Sequence, residues 1–115
     1  MTIIFATETA SPDVETTPDI DIEFVVMGDE ELEKPYRVII HNDDITPIDF
    51  VITVLCTIFE LNVRRATSIT YEAHTTGTAL VTVLPYEEAH RRVYNAQSAA
   101  REFGFPLAFT IEPDE

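Results

Sequence analysis

At 115 residues, with 45% apolar and 10% aromatic content, the chain is long enough for one globular domain that buries a single core without disulfides or metal. A net charge of -14, from 21 acids against seven bases, excludes a surface that neutralises nucleic-acid phosphates and points to cationic partners, and no apolar run approaches the roughly 20 residues of a membrane span. The lone Cys56 rules out an internal disulfide, and "MTIIFATETA" has neither the basic region nor the apolar length of a secretory signal, so a reducing cytoplasm is the expected compartment.

Residues 1–33 hold ten of the acids and no Lys or Arg. With the Thr, Ser and Pro of "TETASPDVETTPD", that composition predicts a flexible acidic arm over 1–34, ahead of a folded domain over 35–115. Within the arm, "IDIEFVVM" (20–27) has strand composition and could pair with a sheet edge. The first firm element is "PYRVIIHN", a strand rich in Val and Ile that ends at an Asn-Asp-Asp cluster. Next, "TPIDFVITVLCTIF" places Ile48, Val51, Ile52, Leu55 and Phe59 at the spacing of one helical face. Thr46 is positioned to cap this helix, Pro47 to begin it, and Asp49 to complete a Thr-x-x-Asp box.

A second helix is predicted from about Val63 to Thr75, capped by Asn62 and released at Gly77 through a left-handed turn. "TALVTVL" reads as a strand. Pro85 opens a third helix through "YEEAHRRVYNAQSAAREF", which stops at Gly104, and "LAFTIE" is the last strand. The order β-α-α-β-α-β predicts an α+β fold: a small, three-stranded, largely antiparallel sheet packed with three helices on one face.

Asn42, Asp43 and Asp44 need a reason, because a turn requires only one such residue. They sit in a loop at the end of the sheet, beside a helix start. One reading gives Asn42 and Asp43 to local turns and Asp44 to the helix dipole. The other calls for a cationic, hydrogen-bond-donating target, and amines and metal ions both qualify.

"HNDDITPIDFVITVL", with "RRAT" and "AHTTG" following, resembles ClpS, the bacterial adaptor that delivers proteins with destabilising N-terminal residues to a Clp ATPase–protease. The likeness covers residue 35 to about 112, and the spacing from the Asn-Asp-Asp-x-Thr-Pro run to His74 is its most specific part. It implies that Asn42, Asp43 and His74 receive a peptide's free α-amino group. Such an ammonium, with three donors and one charge, suits an amide oxygen, an imidazole nitrogen and a carboxylate. It also implies an apolar pocket for the first side chain, formed by Thr46, Ile48, Val51, Thr70, Ala73 and Leu107. The family commonly has Met where Ile48 and Thr70 stand and a larger aliphatic residue at Ala73, so a wider pocket favouring Phe, Tyr or Trp over Leu is expected. The family docks on the N-terminal domain of the ATPase with a face that includes the start of the third helix; Glu87 and Arg92 fit, whereas His90 replaces an acid. The protein so read is a cytoplasmic monomer that needs no cofactor or metal and binds neither nucleic acid nor membrane.

Three rival readings come from the residues themselves. Asp43 and Asp44 with His74 could serve acid–base catalysis, but no Gly-rich phosphate loop or nucleophile motif accompanies them, and Cys56 falls within an apolar helix. Asp43, Asp44, His41 and His74 could instead hold a metal ion. The third reading is an interaction module that binds through a sheet edge or the acidic arm without N-terminal selectivity.

Overall fold

The computed structural model describes residues 33–114, together with the backbone of Ile3–Ile4 and Val26–Met27. The chain divides into two units, Met1–Glu33 and Lys34–Glu115. In the first, strands β1 (Ile3–Ile4) and β2 (Val26–Met27) pair antiparallel with each other. The expected sheet-edge partner for 20–27 is thus, at Val26 and Met27, another part of the same arm. The rest of that stretch, and the expected flexibility of the arm, lie outside the described residues.

The second unit runs β3 (Pro35–His41), α1 (Ile48–Thr57), α2 (Val63–Thr76), β4 (Thr78–Pro85), α3 (Tyr86–Glu102) and β5 (Ala108–Pro113). This is the predicted β-α-α-β-α-β order. The sheet order is β4-β3-β5 with both ladders antiparallel, so β3, whose residues Val38, Ile39 and Ile40 are all buried, takes the centre where both of its edges are paired. Val38 faces Thr82 and the next residue, Ile39, faces Leu80; the bulge passes over Val81, which is fully buried.

One core joins a single face of this sheet to all three helices. Val38, Ile40, Ala79, Val81 and Phe109 from the strands meet Val54 and Leu55 of α1, Ala66 and Ile69 of α2, and Val93 of α3. Ala89, Val93, Ala96 and Ala100 form the buried stripe of α3. Three of its four side chains end at Cβ, which lets the helix axis lie close across the strands without leaving voids. Ring contacts continue this core toward one edge, where Phe50 meets Phe103 and Phe105 edge-on at centroid distances of 5.6 and 5.1 Å.

The predicted helix ends agree with the structure except at one point. Asn62 caps α2 by accepting from Arg65 N–H at 2.8 Å, and Gly77 (φ 101°) and Gly104 (φ 80°) take the left-handed geometry that ends α2 and follows α3. The box expected at the start of α1 does not form. Pro47 is itself the N-cap residue, Ile48 opens the helix, and no side chain caps it. The Thr46 N–H, which the box would give to the Asp49 carboxylate, donates to Asp43 Oδ1 at 2.7 Å instead, and the Thr46 hydroxyl donates to Asp43 Oδ2; Asp49 stays in the first turn, where its charge suits the dipole.

Arg92 ties α3 to the end of α1. Its side chain, 16% exposed, donates to the Ile58 carbonyl at 3.1 Å and to Glu88 at 2.8 Å, and it lies 3.7 Å from Glu60, a residue with φ of 59°. Hydrogen bonds from Arg91 and then Arg92 hold the Glu88 carboxyl below its ordinary range. Replacing Arg92 with Ala is expected to destabilise the domain by about 1–2 kcal/mol, read as a fall of several degrees in Tm. A carboxyl with a lowered folded pKa adds stability that is present at neutral pH and lost as pH falls through that pKa. The Tm gap between wild type and Arg92→Ala should therefore narrow in acid. A gap that stays constant down to pH 3 would show that Glu88 contributes nothing through Arg92.

Candidate functional site

The rim is built by two backbone events. β3 ends at His41, and Asn42 N–H donates to the Gly77 carbonyl at 2.9 Å, while Gly77 N–H closes α2 on the Ala73 carbonyl at 2.8 Å. The start of the Asn-Asp-Asp loop is thereby fastened to the end of the helix that carries His74 in its last turn. Asp43 then shapes the loop. Its Oδ1 accepts from Ile45 N–H (2.8 Å) and Thr46 N–H (2.7 Å), and its Oδ2 from the Thr46 hydroxyl (2.9 Å). This is the local-turn role that the simpler reading gave to Asp43, made without displacing it from the rim.

Behind the rim lies a cavity of about 230 Å³. It is lined by Asn42, Asp43 and His74 and by Thr46, Ile48, Val51, Thr70, Ala73 and Leu107, so the residues expected for both the amine and the side chain converge on one hollow from the β3–α1 loop, both helices and the residue before β5. The floor is buried: Leu107 is 1%, Ala73 3%, Thr70 5% and Val51 7% exposed. Asn42 and His74 stand exposed at the mouth. The Thr70 hydroxyl donates to the Ala66 carbonyl at 2.8 Å within its own helix, so it offers no free donor to whatever enters.

Ile40, His41 and Asp44 also line the cavity, although the resemblance assigned them no role in it. Ile40 was legible only as strand core, and His41 only as a candidate metal ligand beside Asn42. The ring Nε2 of His41 lies 2.9 Å from the Thr110 hydroxyl across the β3–β5 ladder. Glu87, His90 and Arg92 do not line the cavity; Glu87 and His90 are exposed on the first turns of α3, and Arg92 is the tether described above. Among the described residues no group of three or more His, Cys, Asp or Glu side chains is arranged to hold a metal ion, and no helix is long and apolar enough to cross a membrane.

These features define a class: a small α+β domain with a hydrogen-bond-accepting rim above an apolar hollow. Residues 31–110 match the family model of the ATP-dependent Clp protease adaptor protein ClpS. The chain is 36% identical over 104 residues to the ATP-dependent Clp protease adapter protein ClpS 2 of Mesorhizobium japonicum, covering 90% of this chain and 99% of that one. It is 40% identical over 90 residues to the ClpS of Nautilia profundicola, covering 76% and 93%. The solved structure of Agrobacterium tumefaciens ClpS2 bound to L-phenylalaninamide superposes with a TM-score of 0.68 at 37% identity, covering 70% of this chain and 98% of that one. The chain belongs to the ClpS family, and it is an adaptor of the Clp protease rather than an enzyme.

Proposed function

We propose that this adaptor selects proteins by their first residue, receiving a free α-amine on Asn42, Asp43 and His74 and a bulky hydrophobic side chain in the hollow behind them, and presents them to a Clp-type ATPase–protease. The observation that carries this reading is the convergence of acceptors and apolar floor in one cavity. An ammonium needs acceptors on several sides, and Asn42, Asp43 and His74 come from two separate segments joined by the Asn42–Gly77 bond. L-Phenylalaninamide, bound by the similar Agrobacterium protein, has both parts of such a ligand: a free α-amine and a benzyl side chain. Docking on the N-terminal domain of the ATPase falls to the start of α3, with Glu87 and His90 as exposed contacts and Arg92 fixing the helix beneath them. The acidic segment over residues 1–34 is the part of the chain that the ATPase can engage.

A titration panel tests the reading. Peptides identical except at residue one are expected to rank Phe, Tyr and Trp above Leu, with Val and Ile poor because branching at Cβ crowds the rim next to Ile48. Thr70, whose hydroxyl proton is already donated, can meet a Tyr ligand only as an acceptor. A panel with no dependence on residue one would favour an interaction module without N-terminal selectivity.

A further inference from the structure

Most of the cavity wall stands on β3, on the tied loop before α1, or on α1 and α2, but its most buried residue does not. Leu107 lies in the connection between α3 and β5, one residue before Ala108, the first of that strand to pair with β3. Its main chain is outside the ladder, so something else must fix it. Two side chains of α3 do so. Gln97 Oε1 accepts from Phe109 N–H at 2.8 Å, and Arg101 Nη1 donates to the Leu107 carbonyl at 3.4 Å. Residues four apart share a face of a helix, and here that face closes like a clamp on the outer edge of the sheet, beside β5, where no further strand pairs. Gly104, at φ 80°, and the bond from Phe105 N–H to the Ala100 carbonyl at 2.9 Å turn the chain back along the helix before the clamp engages.

Resting on the reading of the cavity as the seat of a ligand's first side chain, we infer that Gln97 and Arg101 are positioning residues of that site: neither lines the cavity, but together they hold the Leu107 wall at the depth that separates an aromatic ring from a branched aliphatic chain. A wall fixed from a packed helix discriminates by shape. One that is free to shift closes around either ligand, and each ligand then has to order it on binding. The two grips differ in strength, since the Gln97 bond is short and made by a half-buried side chain, whereas the Arg101 bond is long and made by an exposed residue.

Free-amine peptides that begin with Phe or with Leu are titrated against the full chain, well below its Tm, as wild type, Gln97→Leu, Gln97→Glu and Arg101→Met. Gln97→Leu removes the acceptor and keeps most of the volume. It is expected to weaken the Phe peptide about three- to tenfold and the Leu peptide less, drawing the ratio of the two affinities toward one, and to speed hydrogen exchange at the Phe109 amide. Gln97→Glu still presents an oxygen to that amide, so it should keep the wild-type ratio. Arg101→Met, at an exposed position, leaves the fold intact and should move the ratio the same way by a smaller factor; it tests the clamp even if Gln97→Leu does not fold. The inference is overturned if Gln97→Leu lowers Tm with the ratio unchanged, if Gln97→Glu loses the ratio as fully as Gln97→Leu does, or if Arg101→Met leaves it at the wild-type value. Failure of the reading beneath it looks different. Wild type that binds peptides equally whatever their first residue overturns the cavity as a side-chain site; a wild-type preference that survives Gln97→Leu and Arg101→Met overturns only the clamp.

Discussion

Acetylating the N-terminus of a Phe-initiated peptide should lower its affinity for this protein at least tenfold. The modification removes the ammonium charge and leaves a single amide donor where Asn42, Asp43 and His74 present acceptors to three. Acceptors that lose their donor on ligand binding are desolvated without compensation, at about 1–3 kcal/mol each, and the lost charge adds to this. His74→Ala should lower affinity for the free peptide by a similar factor and reduce the difference between free and acetylated forms, since one of the groups that senses the change is gone. The side chain stands exposed in the last turn of α2, so the replacement should leave Tm nearly unchanged. An acetylated peptide that binds as well as the free one would remove the amine from the mechanism.

The second large effect concerns the floor. Thr70→Met combined with Ala73→Val adds volume to two residues that are 5% and 3% exposed and that line a hollow of about 230 Å³. The filled pocket should reject aromatic residues by about 1–2 kcal/mol, close to tenfold, while Leu loses little, so the wild-type preference for Phe over Leu should vanish or reverse. The mechanism is steric. In the wild type a Leu ligand leaves space that a Phe ring occupies, and each unfilled gap forfeits dispersion contacts. Isothermal titration of Phe and Leu peptides against both proteins reads the change directly, and a wild type that already prefers Leu would refute the wide-pocket argument.

Much of this fold could be read from the chain because local signals and global packing agree. Asn62, Gly77, Pro85 and Gly104 mark helix ends at positions that the structure uses, and of the predicted apolar face Val51, Leu55 and Phe59 are buried and Ile48 and Ile52 half-buried, with Val54 a buried addition. The failed box at Thr46 is informative. Thr-x-x-Asp is a local pattern, and it lost to Asp43, an acceptor that stands three residues earlier and was itself visible in the sequence. Periodicity ranks such competitors poorly, because it does not say which of two neighbouring carboxylates the Thr46 N–H will choose. The site was legible only through resemblance. Composition offered turns, amines or metal ions for the Asn-Asp-Asp run, and nothing in the spacing by itself says that Leu107 approaches Thr70. The tether from Arg92 to the Ile58 carbonyl spans 34 positions and leaves no trace in any window of sequence.

The bond from Asn42 N–H to the Gly77 carbonyl has a consequence for motion. A loop at the end of an edge or centre strand commonly opens alone, in a local fluctuation with a small free energy. Here the loop cannot lift without releasing the helix terminus, and the terminus cannot fray past Ala73 without freeing the loop. The two halves of the rim should therefore open as one cooperative unit, so that the amides of Asn42 and Gly77 exchange their hydrogens with a common protection factor. Bound peptide should slow both amides together. A partner meets either the complete set of acceptors or none of it, which makes recognition an all-or-none event on the timescale of that opening.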